Sequence, residues 1–161
     1  MSIVQHSLFF AASARPPKEK HKVSVSSQQP RGKFHGVEFS GQRVLVVEDE
    51  LLISIDLADS LRQHGAAIVG PAATLREALA LAGAKEAPDC AVLDLRLSGE
   101  MVFPVADALA ERGVPFVFLT GYHEDVIPTR YANVPRFEKP FDHAAVLAEL
   151  FRLVAQKASP D

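Results

Sequence analysis

The stretch Asp89-Cys90-Ala91-Val92-Leu93-Asp94 sets small and apolar residues between two aspartates, with Pro88 before it and Gly99 soon after. It is too short for a helix, so it reads as a strand buried on both faces. A strand of that kind belongs in the middle of a parallel sheet. Its last residue, Asp94, then stands at the carboxyl edge, where open α/β sheets bind their ligands. Taken alone, Asp94 reads equally as a residue that ends a strand and caps the next turn.

Arg43-Val44-Leu45-Val46-Val47 is a second buried run, ending in Glu48-Asp49-Glu50. Leu51, Leu52, Ile55, Ala58 and Leu61 follow at helical spacing, and Gly65 stands where a helix C′ residue is expected. The spacing then predicts a strand over 66–70 and a helix over 75–84 that opens on a Thr74-x-x-Glu77 capping box. After Asp94 come a helix over 102–112, stopped by Gly113, and a strand Pro115 to Leu119 running into Thr120-Gly121. Residues 122–134, interrupted by Pro128, leave room for one short helix at most. Residues 134–138 form a short strand tolerable only at a sheet edge because of Pro135. Lys139-Pro140 closes it, and Asp142 caps a last helix with Val146, Leu147, Leu150, Phe151 and Val154 on one stripe.

Five strands alternating with helices specify an α/β fold, a doubly wound parallel sheet with helices on both faces. Among the topologies that right-handed crossovers allow, the flavodoxin-like (βα)5 order 2-1-3-4-5 is a common one. In that order the first and third strands are neighbours, so Glu48, Asp49 and Asp94 meet at one edge.

The chain has 161 residues and a net charge of −3. Residues 1–40 hold six basic and two acidic residues, leaving eleven basic and eighteen acidic for the rest. An acidic body argues against nucleic-acid binding. No apolar run reaches the ~20 residues of a membrane span, and a single cysteine permits no intrachain disulfide, as fits a cytoplasmic setting. Residues 1–40 read as a disordered or weakly ordered extension, 41–157 as the folded domain and 158–161 as a tail. Ser7 to Ala14 has the Ala-x-Ala end of a secretory signal, but it is short and no Lys or Arg precedes it. No second domain follows the last helix, so output is expected to pass through a partner protein.

Three carboxylates within several Å repel one another by ~4 kcal/mol per pair at 4 Å and an effective dielectric of 20. A protonated carboxyl or a cation must relieve them. Oxygen-only ligands in a half-open site suit Mg2+. Thr120 adds a hydroxyl and Lys139 an ammonium at the same edge. Metal, ammonium and hydroxyl around a carboxylate make a phosphoryl-transfer site with Asp94 as nucleophile.

With Val44 to Glu50, Ala91 to Leu97, Phe118 to Tyr122 and Glu138 to Phe141 in this order and spacing, the chain resembles a response-regulator receiver domain of two-component signalling over about residues 42–157. The resemblance implies that Asp94 accepts a phosphoryl group from a phosphohistidine on a sensor histidine kinase or histidine phosphotransfer protein. It implies Mg2+ on Glu48, Asp49, Asp94 and the backbone carbonyl of Arg96, with Thr120 as switch hydroxyl and Lys139 as phosphate-binding lysine. It implies a cis Lys139-Pro140 bond, a downstream protein partner, and no turnover of an independent substrate. Phe118-Leu119-Thr120-Gly121-Tyr122 is also similar to the motif of the single-domain FATGUY regulators, with Leu119 in place of Ala. Arg136 stands where many receivers carry a switch aromatic, which points to the loop after Thr120, with Tyr122 as its anchor, as the switching element. A haloacid-dehalogenase-like phosphatase needs a second acid where this chain has Arg96. A flavodoxin needs a phosphate cradle where it has Glu48-Asp49-Glu50. A docking module that works without phosphorylation is the remaining alternative. The six histidines show no metal-ligand spacing, and only His123 lies near the switch loop.

Overall fold

Side chains alternate across each central strand, and the two sets of alternating residues are the two halves of the core. The computed structural model describes residues 38–121 and 127–159. The extension through residue 37, Tyr122 and His123 lie outside the described residues. Strands β1 (Arg43–Val47), β2 (Ala67–Ala72), β3 (Cys90–Asp94), β6 (Phe116–Thr120) and β7 (Arg136–Glu138) form one parallel sheet in the order β2-β1-β3-β6-β7. Two short strands, β4 (Arg96–Leu97) and β5 (Glu100–Met101), pair antiparallel in a separate hairpin. With that hairpin set aside, the sheet is the flavodoxin-like 2-1-3-4-5 order.

Helices α1 (Leu51–Gln63) and α4 (His143–Ala158) cover one face, and α2 (Leu75–Ala82) and α3 (Phe103–Glu111) cover the other. Val44, Val46, Cys90, Val92, Val117 and Leu119 meet Leu57, Leu61, Val146 and Leu150 on the first face. Leu45, Val47, Ala91, Leu93 and Phe118 meet Ala78, Ala82, Val105 and Leu109 on the second. Both central strands β3 and β6 are buried along their whole length, as their unbroken apolar sequences require.

The local signals work as their chemistry dictates, with some shifts. Thr74 Oγ1 accepts from the Glu77 N–H at 3.2 Å, while the Glu77 carboxylate reaches the Ala73 N–H, so the capping box closes one residue early. Asp142 caps α4 through the Ala144 N–H at 3.0 Å. Strand β2 runs on through a cis Gly70-Pro71 bond to Ala72, two residues past its sequence reading, with an irregularity in its pairing to β1. Lys139-Pro140 is also cis. Pro135 lies just before the edge strand β7, where its carbonyl accepts from the Phe118 N–H.

One expectation needs correction. Phe39, placed by sequence in the extension, is fully buried against Phe151 of α4, and its N–H donates to His64 O at 2.7 Å. The folded body therefore starts by Phe39 rather than Gly41. The helix read over 102–112 is α3, capped by Val102 and Arg112, and ahead of it lies the β4–β5 hairpin, turned by Ser98 and Gly99 at φ +49° and +94°. Between β6 and β7 the described residues hold a single 3-10 turn, Thr129–Tyr131. Its Tyr131 is buried, stacks on Phe103 and meets Phe116 and Phe118 edge-on.

Candidate functional site

Parallel strands deliver their last residues to one edge, and here those residues are polar. Asp94 ends β3, Thr120 ends β6, Glu48 follows β1 and Lys139 follows β7. All but Lys139 are buried, and they are the polar residues that break the apolar runs. The Lys139 Nζ lies 2.7 Å from Asp94 Oδ2, 2.8 Å from Glu48 Oε2 and 2.9 Å from Glu50 Oε1. The backbone ties the same groups together. The Lys139 N–H donates to Thr120 O at 2.9 Å, the Arg96 N–H to Asp94 Oδ1 at 3.1 Å and the Glu50 N–H to Glu48 Oε1 at 3.0 Å.

Two buried atoms in this cluster lack a hydrogen bond among the described residues. Thr120 Oγ1 has no partner among the described residues, and Glu48 Oε2, although close to the ammonium, meets it outside hydrogen-bonding geometry. Burial pushes the Glu48 carboxyl up to about 7, against the downward pull of Lys139 and the Glu50 N–H, and the Asp94 charge adds to the rise. Burial also opposes the Lys139 charge, but the Asp94, Glu48 and Glu50 carboxylates outweigh it and raise its pKa above the ordinary lysine value. The ammonium is therefore fixed as a cation.

Of the residues singled out by sequence, Glu48, Asp94, Thr120 and Lys139 come together. Asp49 does not join them; its Oδ2 accepts from the Ser98 N–H at 2.7 Å and from the Ser98 hydroxyl at 3.2 Å. The reason is the β4–β5 hairpin, whose turn swings the Ser98 donors over Asp49. Glu50 takes the third place instead, and oxygens of Glu48, Glu50 and Asp94 lie within 4.8 Å of one another. An all-oxygen set of this kind, with a buried carboxylate oxygen lacking a hydrogen bond, fits a hard divalent cation. Arg96 contributes its N–H at the start of β4, and its side chain is exposed.

Sequence reasoning missed Glu50, Ser98 and Tyr131. The Tyr131 hydroxyl and Arg130 Nε and Nη2 hold the Asp107 carboxylate, with Arg130 at 2.9 and 3.0 Å, which ties the 3-10 turn to α3. Arg130 first, then Tyr131, hold that carboxyl below the usual range.

No family model matches the chain. Among solved structures it is similar to SdrG from Sphingomonas melonis Fr1, with 38% identity and a TM-score of 0.62 over 72% of this chain and 98% of that one. The receiver (REC) domain of the Erythrobacter litoralis PhyR response regulator is 32% identical, with a TM-score of 0.65 over 76% of this chain and 97% of that one. The transcriptional regulatory protein PdtaR of Mycobacterium tuberculosis is 37% identical over 84 residues, which is 52% of this chain and 40% of PdtaR. The chain spans 40% of the length of the curated relatives it matches. Among the described residues no helix is long and apolar enough to cross a membrane.

Proposed function

Since the chain belongs to the receiver domains of response regulators, we propose that it accepts a phosphoryl group on Asp94 and passes the signal to a protein partner. The observation that carries this is the Lys139 ammonium 2.7 Å from Asp94 Oδ2 at the sheet edge, beside the buried hydroxyl of Thr120, which has no partner among the described residues. Asp94 supplies the attacking oxygen. Lys139 stays charged through any physiological pH and neutralises phosphoryl oxygens as the bond forms. Thr120 Oγ1 has a hydrogen to give, and a phosphoryl oxygen on Asp94 would accept it. Glu48, Asp94 and the Arg96 carbonyl would hold Mg2+, with Asp49 joining them on exchanging its Ser98 contacts for the ion, which supplies charge neutralisation for the transferred group. A sensor histidine kinase or histidine phosphotransfer protein is the donor, and the relative SdrG has been solved in a BeF3-activated conformation. BeF3 is an analogue of the phosphoryl group, so its use with a relative 37% identical supports the same chemistry here.

The test is intact-mass measurement after incubation with a small phosphodonor and Mg2+. One phosphoryl group should be added to the natural chain and none to Asp94→Asn. Undiminished addition to Asp94→Asn would end this reading, and no addition to either chain would favour a docking module that works without phosphorylation.

A further inference from the structure

Glu50 occupies the N-cap of α1, a position that favours Ser, Thr, Asp or Asn. Its side chain accepts no N–H from the helix. It reaches instead to Lys139, a residue distant in sequence, at 2.9 Å. An ammonium has three N–H donors; Lys139 gives one to Asp94 and one to Glu50, and Glu48 Oε2 lies 2.8 Å away as an ion pair outside hydrogen-bonding geometry. The three carboxylates differ in exposure. Glu48 and Asp94 side chains are 0% and 8% exposed, and Glu50 is 61% exposed. Glu50 is thus the carboxylate at the mouth of the site, and the one that can swing away.

We infer that Glu50 is a positioning residue that holds Lys139 in its resting arrangement and slows phosphoryl acceptance from anionic donors. This rests on the reading of Asp94 as phospho-acceptor. With acetyl phosphate, an Asp94 carboxylate oxygen attacks phosphorus, the new O–P bond forms, the bond from phosphorus to the acetyl oxygen breaks, and acetate leaves with the electron pair. During that step Lys139 must turn a donor to the phosphoryl oxygens. A carboxylate that claims one of its three donors and faces the incoming dianion opposes the step twice. An exposed ion pair contributes little to stability, so the effect falls on the rate.

The experiment uses the full chain with saturating Mg2+ and compares Glu50→Gln with the natural chain by intact mass over time. One carboxylate some 8 Å from a dianion in water-like dielectric is worth on the order of fivefold in rate. Glu50→Gln should therefore label about threefold to tenfold faster with acetyl phosphate at low salt. The gain should be smaller with phosphoramidate, which carries one net negative charge fewer, and should shrink towards parity at ~1 M salt. A general loosening of the fold would not follow donor charge or salt in this way. Equal or slower labelling of Glu50→Gln, or a gain blind to donor charge and salt, overturns the inference while the natural chain still labels on Asp94. If the natural chain takes no phosphoryl group on Asp94, the reading of the site falls, and this inference with it.

Discussion

Asp89 and Asp94 flank the same buried run of β3, and their carboxylates meet different partners. Asp89 Oδ2 accepts the Arg43 N–H at 2.7 Å while the Asp89 N–H donates to Arg43 O at 2.8 Å. Asp89 thereby extends the β1–β3 ladder past its last backbone pair, with a side chain standing in for a missing carbonyl. Asp94, at the other end, faces an ammonium shared with two more carboxylates. The amino edge as a whole is built the same way as Asp89. Phe39 plugs the space beside α4, and Arg112 donates to the last carbonyl of α2, at Ala82, and to the Lys85 carbonyl beyond it. One edge of the sheet holds the fold together, and the other gathers charge that the fold alone does not require.

The sharpest way to break this contrast is to damage the amino edge and ask whether chemistry survives. Phe39→Ala should cost about 3–5 kcal/mol of stability, the usual loss for a buried phenyl ring. Chemical denaturation would measure it, and phosphoryl labelling of the molecules that stay folded should be unchanged. Lys139→Met makes the reverse case. It should lower the labelling rate by about 10²–10³-fold, the effect of removing a charge aimed at the developing transition state. Rate loss below tenfold would show that Lys139 is only a structural counter-ion.

How far each edge could be read from sequence differs for physical reasons. Asp94 and Thr120 were readable because each ends a run whose burial pattern is unambiguous, and Lys139 because it follows a short edge strand closed by Pro140; one edge of a parallel sheet brings such ends together. Glu50 was not. Which of three consecutive carboxylates turns inward depends on backbone angles after the strand, and apolar periodicity says nothing about these. Ser98 sits in a hairpin of two-residue strands, too short for any alternation; the Ser98-Gly99 pair was the one available turn signal. Phe39 and Tyr131 are single aromatics in segments without periodicity. Each packs through contacts distant in sequence, with Phe151 and with Phe103 and Phe118.

Asp89→Ala sharpens the same contrast at smaller scale. It leaves the Arg43 N–H without its acceptor, which should cost about 1–2 kcal/mol, while labelling stays within about twofold. An equal loss of labelling would mean that the amino edge positions the site more closely than the bonding suggests.

The smallest effect concerns Cys90, at the amino end of β3. Burial first, with Asp89 adding to it, pushes the thiol up to about 12 from 9.0. A folded pKa above the unfolded one gives a contribution that is whole below pH 9.0 and lost as pH rises towards about 12. At pH 10 the natural chain should therefore have lost about 1 kcal/mol that Cys90→Ala does not lose. Parallel pH curves for the two chains would show that the thiol ionises freely in the folded state.

The central claim, that Asp94 and no other carboxylate is the phospho-acceptor, is tested most directly by trapping the acyl phosphate. After incubation with acetyl phosphate and Mg2+, borohydride reduction converts an aspartyl phosphate to homoserine, which peptide mass spectrometry locates. The account predicts homoserine at position 94 alone, and none when Mg2+ is chelated. Homoserine at Asp49, Asp89 or another aspartate, or undiminished trapping at 94 with the metal removed, would contradict it.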